Sequence, residues 1–258
     1  MRILIVNDDG INAPGLAVAE EIAAELAGPS GEIWVVAPET ERSGASHCVS
    51  YTSPMRVTQL GERRYCIEGH PADCAIAGVT KLLPERPDLV LSGVNRGHNV
   101  AEDAVYSGTV AGAKEAAIQG VRAIALSQYF ASGPGAPADA FAAARAHGAS
   151  AVRRVLALPF GQDVFYNVNF PPLSPAAVRG FTLAPQGRRG GAFQVQEALA
   201  PNQRRYFWLA HNARNAAAAP EADSTLCAEG WITATPMRPD LTDHALLAEA
   251  QAAIEAAE

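Results

Sequence analysis

The sequence predicts an α/β fold: a mostly parallel sheet flanked by helices, followed by a β-rich appendage. Three observations carry this expectation. Short apolar runs alternate with helix-length stretches as far as Phe170, and such alternation implies parallel strands joined by right-handed crossovers. The opening run Arg2-Ile3-Leu4-Ile5-Val6 reads as a buried strand that stops abruptly at Asn7-Asp8-Asp9-Gly10. After Phe170-Pro171-Pro172 the alternation gives way to scattered short strands. The expected division is therefore a core over 1–172 and an appendage over 173–258.

The elements follow in order. After the first strand, Leu16 to Leu26 has helical texture, and Ile33 to Val36 is a strand closed by Ala37-Pro38. Short alternating runs between Val49 and Ile67 suggest a hairpin. Pro71 suits a first helical position, where its missing N–H is not needed, and that helix is expected to reach about Leu83. Leu89 to Leu91 is a short buried strand ending in Ser92-Gly93. Gly108 to Gln119 is a helix of small residues, and Ala123 to Leu126 is the next strand. Ser132 to Pro137 is a loop, Ala138 to Leu156 a long helix, and Phe165 to Val168 the last core strand. In the appendage, Phe181 to Ala184, Arg205 to Ala210 and Trp231 to Thr235 read as strands, and Ala216 to Ala219 as loop. Thr242 to Ala257 is expected to be a terminal helix capped by Thr242 or Asp243.

Composition limits the function. The 258 residues are 48% hydrophobic and 18% charged, enough to build a sizeable core, and the net charge is −7. That acidity argues against a duplex nucleic-acid binder. A nucleotide monomer stays open as substrate, because a local cation can offset the global charge. Cys48, Cys66, Cys74 and Cys227 form no C-x-x-C pair, which argues against a zinc site and for reduced, cytoplasmic thiols. No signal-peptide pattern or membrane-length apolar segment is present, so a cytoplasmic protein without membrane attachment is expected.

The chemistry concentrates after the strands. Asn7-Asp8-Asp9-Gly10, Arg42-Ser43-Gly44-Ala45-Ser46 and Ser92-Gly93-Val94-Asn95-Arg96-Gly97-His98-Asn99 each follow a strand. In a parallel sheet all three project from the carboxyl edge, where ligands bind. Two carboxylates about 4 Å apart repel by roughly 4 kcal/mol at an effective dielectric near 20. Adjacent strand residues also face opposite ways, so Gly10 is expected to bend the chain before both acids can serve one site. A divalent cation would turn the repulsion into coordination. A fourth segment, Tyr106-Ser107-Gly108-Thr109-Val110-Ala111-Gly112-Ala113, leads into a helix. Free N–H groups there attract phosphate, and Ser107 and Thr109 can add hydroxyl donors. Neither a G-x-x-x-x-G-K-[ST] loop, a G-x-G-x-x-G turn nor a G-x-S-x-G elbow around Ser43 is present. His70 reads as a loop histidine, while His47 and His98 lie near the site loops. Arg188-Arg189 and Arg204-Arg205 read as solvated pairs.

The stretches MRILIVNDDGINAPG, VVAPETERSGAS, GHPADC, LSGVNRGHNVAEDAVYSGTVAGAKEA and GWITATPMRPDLT resemble, in order and over nearly the whole chain, the SurE (survival protein E) family of 5'/3'-nucleotidases. The resemblance implies a Rossmann-like core whose C-terminal region exchanges elements between subunits of a homodimer or homotetramer. It implies metal-dependent hydrolysis of nucleoside 5'- and 3'-monophosphates to nucleoside and phosphate, extending to short polyphosphate. One divalent ion per subunit, Mg, Mn or similar, would be held by Asp8, Asp9, Ser43 and Asn95, with Asp8 and Asp9 catalytic. Phosphate or substrate would contact Gly44, Asn99, Ser107, Gly108 and Thr109. The chain departs from the family's usual pattern at Gly69-His70-Pro71, Gly97-His98-Asn99 and Ala200 to Arg205, which bears on substrate preference rather than on the reaction. A non-catalytic phosphate sensor would share the fold, but a passive anion binder gains nothing from two adjacent carboxylates without a cation.

Overall fold

A computed structural model describes residues 1–130, 137–190, 193–211 and 219–256. Its centre is β1 (Arg2–Val6), flanked by β2 (Glu32–Pro38) on one side and β5 (Leu89–Arg96) on the other, both parallel to it. Beyond β2 lie β4 (Arg64–Ile67), parallel, and β3 (Val57–Gly61), antiparallel. Beyond β5 lie β6 (Ala123–Gln128) and β7 (Phe165–Phe170), both parallel. The chain thus leaves β1 first one way and then the other. The reversal of direction opens a crevice at the β1/β5 carboxyl ends, the ligand position of open α/β sheets.

Ile3, Leu4, Ile5 and Val6 are fully buried because helices cover both faces. One face carries α1 (Pro14–Ala27) and α5 (Ala142–Leu156), the other α2 (Pro71–Ala77) and α4 (Gly108–Ile118). Pro14 opens α1 as Pro71 opens α2. Small residues set the helix–sheet distance. A Cβ on Gly112 would come within 2.8 Å of Ser92 Oγ and 3.0 Å of Val6 Cγ2, which explains the small-residue helix α4. A Cβ on Gly15 would sit 1.9 Å from the Val94 carbonyl. We expect Gly15→Ala to cost about 1–3 kcal/mol by overpacking, read as a fall of several degrees in the calorimetric Tm.

Some elements differ from expectation. The helix from Pro71 changes at Gly78 into a π-helical turn, Gly78–Leu82. The helix expected from Ala138 starts at Ala142, after a turn in which the Asp139 carboxylate accepts the Phe141 N–H. β5 does not stop at Leu91: Gly93 at φ +132° lets it bulge between Ser92 and Asn95 and continue to Arg96. A short helix, α3 (Asp103–Tyr106), precedes α4. Of the expected loop Ser132 to Pro137, only Pro137 lies within the described residues; of Ala216 to Ala219, only Ala219 does.

Segment 173–258 contributes to the main sheet as well as extending from it. β11 (Trp231–Met237) pairs antiparallel with β7, and β8 (Gly180–Leu183) pairs parallel with β11. Between them lie α6 (Asp223–Ala228) and a separate antiparallel hairpin, β9 (Phe193–Leu199) with β10 (Arg205–His211). The hairpin leaves Phe207 63% and Trp208 67% exposed. The terminal helix α7 (His244–Glu255) is capped by Asp243, which accepts the Leu246 N–H at 3.0 Å, and buries none of its residues. Among the described residues no helix is long and apolar enough to cross a membrane.

Candidate active site

The three strand-end loops and the α4 start converge at the carboxyl edge of β1 and β5. Asn7 shapes the first turn by donating to the Gly10 carbonyl at 2.8 Å, and Gly10 supplies the bend at φ +98°. The second loop is stitched to the first by Arg42 N–H to Asp8 O, 2.7 Å. It is also stitched to α3, through Ser46 N–H to Tyr106 O (3.0 Å) and Ser46 Oγ to Val105 O (2.8 Å). These bonds draw segments distant in sequence around a cavity of about 340 Å³. Asp8, Ser43, Gly44, Asn95, Asn99 and Ser107 line it.

Asp8 forms its floor. The carboxylate is buried, and its Oδ1 accepts the Thr109 hydroxyl at 2.5 Å. Burial pushes the Asp8 carboxyl up to about 6. The Thr109 bond opposes that rise, and the neighbouring Asp9 charge adds to it. Asp9 is turned toward the third loop, where Oδ2 accepts the Arg96 N–H at 3.0 Å. Its carboxyl is also raised, by burial and by the Glu41 charge, against the pull of Arg96. Two adjacent carboxylates each held above the normal range form a site short of positive charge.

The other expected residues divide by what they touch. Ser43 donates to Glu41 at 2.8 Å, and Asn95 turns its amide nitrogen to Gly97 O at 2.9 Å. Ser107 Oγ caps α4 by accepting the Val110 N–H, 3.0 Å, while also facing the cavity. Gly108 and Thr109 do not line the cavity but brace Asp8 from behind: a Cβ on Gly108 would lie 2.7 Å from Asp8 Cβ. The Thr109 hydroxyl, expected to face phosphate, is instead spent on Asp8. Asn99 belongs to a buried polar ladder. Its side chain donates to Ser127 at 2.8 Å, its N–H goes to Asn169 at 2.8 Å, and its carbonyl accepts from Asn167 at 2.7 Å.

The histidines separate in the same way. His47 Nε2 pairs with Glu115 at 2.8 Å and does not line this cavity. His70 joins Asp73 at the start of α2, where Ser50 also donates to Asp73. His98 does line the cavity. Arg205 pairs with Glu197 across the hairpin, and Arg188 and Arg204 are exposed. Arg189 is not solvated as expected: its Nη2 lies 2.5 Å from Asp103 Oδ2, because the chain entering the hairpin packs against α3.

Sequence reasoning missed an aromatic wall of Tyr106, Tyr129, Phe130 and Phe193. Tyr129 and Phe130 directly follow β6, so the strand-end rule that found the other loops applies to them too. Phe193 arrives from the hairpin and meets Tyr106 edge-on at 5.1 Å; no local signal announces that contact.

A doubly wound sheet with acids, an amide-rich helix start and an aromatic wall at its switch point defines a Rossmann-like α/β protein built around a strand-edge ligand site. Residues 3–192 match the family model described as Survival protein SurE, and the chain belongs to that family. A protein of Cereibacter sphaeroides called 5'-nucleotidase SurE is 54% identical over 260 residues, spanning 98% of this chain and 100% of its own. A protein of the same name from Ruegeria pomeroyi is 49% identical over 261 residues, with 98% and 100% covered. The crystal structure of the SurE protein from Aquifex aeolicus aligns with a TM-score of 0.81 at 32% identity, covering 96% of this chain and 98% of that one.

Proposed function

We propose that this chain is a metal-dependent phosphomonoesterase that hydrolyses nucleoside 5'-monophosphates to nucleoside and phosphate. The observation that carries the reading is the pairing of Asp8 and Asp9 at the end of β1, with Asp8 opening on the cavity beside the α4 start. The relatives named 5'-nucleotidase SurE support the reaction class. The proposed range extends to 3'-monophosphates and short polyphosphate.

The donor chemistry fits one hard divalent ion per subunit, Mg or Mn. Asp8, Ser43 and Asn95 line the cavity and Asp9 adjoins Asp8 with its Oδ2 on the Arg96 N–H; all four carry oxygen donors, and the Asn95 nitrogen is already turned to Gly97. When bound, the ion supplies Lewis acidity and offsets charge on the phosphate. The chain's own residues do the rest. Ser107, which lines the cavity at the positive end of the α4 dipole, is the group that holds phosphoryl oxygens where negative charge grows. Gly44, at φ +74°, and Asn99 complete the wall that orients the substrate. Water is the proposed nucleophile, with the Asp8 and Asp9 carboxylates holding the charge that positions it. The exposed hairpin and α7 are proposed to exchange between subunits of a homodimer or homotetramer. Four unpaired cysteines suit the cytoplasm.

Phosphate release from AMP and GMP tests the reading. Release with Mn and its loss in excess chelator is the expected result; equal release in chelator refutes the metal role. Nucleotide binding without any release would favour the sensor alternative. The pH dependence has a definite sign. The ion needs ionised Asp8, whose carboxyl titrates at about 6 in the metal-free fold. Mn affinity measured by calorimetry is therefore expected to fall as pH drops through 6, with proton release on binding. Affinity independent of pH between about 5 and 7.5 would remove Asp8 from the ligand set.

A further inference from the structure

His98 lines the same cavity as Asp8 and Ser107. Its surroundings hold the ring in one pose. Nδ1 lies 3.0 Å from Oδ2 of the buried Asp103. The ring meets Tyr129 edge-on, with centroids 4.3 Å apart and planes at 85°. Arg189 Nη2 approaches the same Asp103 Oδ2 at 2.5 Å. Burial raises the Asp103 carboxyl, but His98 and Arg189 outweigh it and hold the group below its usual value, so it stays a carboxylate facing the imidazole. Nδ1 is buried against Asp103 at ion-pair distance without hydrogen-bond geometry, so Nε2 is the ring nitrogen left for a ligand, and none of the described residues hydrogen-bonds it. A carboxylate beside Nδ1, on a histidine that lines the ligand cavity, is an arrangement in which an imidazole can move a proton.

Resting on the phosphomonoesterase reading, and against the expectation that the departure at His98 bears only on substrate preference, we infer that His98 is the general acid that protonates the leaving nucleoside oxygen in this chain. A water oxygen forms the new bond to phosphorus and the P–O5' bond breaks. The electron pair of that bond goes to O5', which takes the proton from His98 Nε2. Nucleoside and inorganic phosphate leave, and His98 regains a proton from solvent. Asp8 and Asp9 cannot do this work, because their proposed task requires them ionised.

The experiment compares two leaving groups on the Mn-loaded enzyme. A ribose alkoxide is a poor leaving group and needs the proton; p-nitrophenolate is a good one and does not. His98→Gln and His98→Asn are expected to lower kcat on AMP by about 10²–10⁴-fold while changing kcat on p-nitrophenyl phosphate by less than about threefold. Thermal melts like that of the wild type establish that each variant folds. Equal losses on both substrates, or no loss on AMP, overturn the assignment. Failure of the wild type to hydrolyse either substrate would instead overturn the phosphomonoesterase reading, and His98's role with it.

Discussion

Asp8→Asn is expected to lower kcat/KM for AMP by at least about 10³-fold while making the metal-free protein more stable at neutral pH. The two effects have one cause. The fold buries this carboxylate and lifts its pKa from 3.8 to about 6. The native state therefore holds the Asp8 proton more tightly than the unfolded chain does. Its contribution to stability is fully present below pH 3.8 and is lost as pH rises through 6. By linkage that loss is on the order of 3 kcal/mol. Asparagine keeps the shape and can still accept from the Thr109 hydroxyl, but it carries no charge to desolvate. It also gives the ion one anionic ligand fewer beside a dianionic phosphate, which is why activity falls. The check is a pair of measurements: phosphate release with saturating Mn, and chelated melting curves at about pH 5 and 8, on either side of the Asp8 titration. Near-wild-type activity would remove Asp8 from the chemistry. A D8N variant less stable than the wild type at the higher pH would mean that the Thr109 bond outweighs the burial cost.

Gly108→Ala is the second large effect. The new Cβ would come within 2.7 Å of Asp8 Cβ, 3.0 Å of Asp8 Oδ2 and 3.1 Å of Pro71 Cγ. None of these neighbours is the free end of a flexible side chain. Relief requires the α4 start to back away from β1, at a cost of about 1–3 kcal/mol. A shift of about 1 Å in a catalytic group costs on the order of 10²-fold in rate. The expected outcome is a drop of that size in kcat on AMP with a Tm only several degrees lower. Separating the two readouts matters: a lower Tm with unchanged kcat would show that Asp8 tolerates displacement.

The positions of strands and strand-end loops were legible because they are local. The apolar run Arg2 to Val6, the Gly10 bend and the helix openings at Pro14 and Pro71 follow from chain-neighbour chemistry. The candidate site was legible as a set of polar clusters, since parallel strands bring their carboxyl ends together. Three features were not legible. The extension of β5 through Gly93 depends on β6 alongside it, as a Cβ there would strike the Leu126 carbonyl at 2.2 Å. The task of Thr109 depends on Asp8, a residue 101 positions away. The pairing of Arg189 with Asp103 depends on where the hairpin's base crosses α3.

By itself the sequence determined the alternating sheet, the acid pair at the end of the first strand and the small-residue helix above it, because each is written in neighbouring side chains and their period. Tertiary structure decided which of these groups face the cavity, which brace it from behind, and how far burial lifts the Asp8 carboxyl. Those outcomes rest on desolvation and on contacts between segments far apart in the chain, and they exist only once the sheet has closed around them.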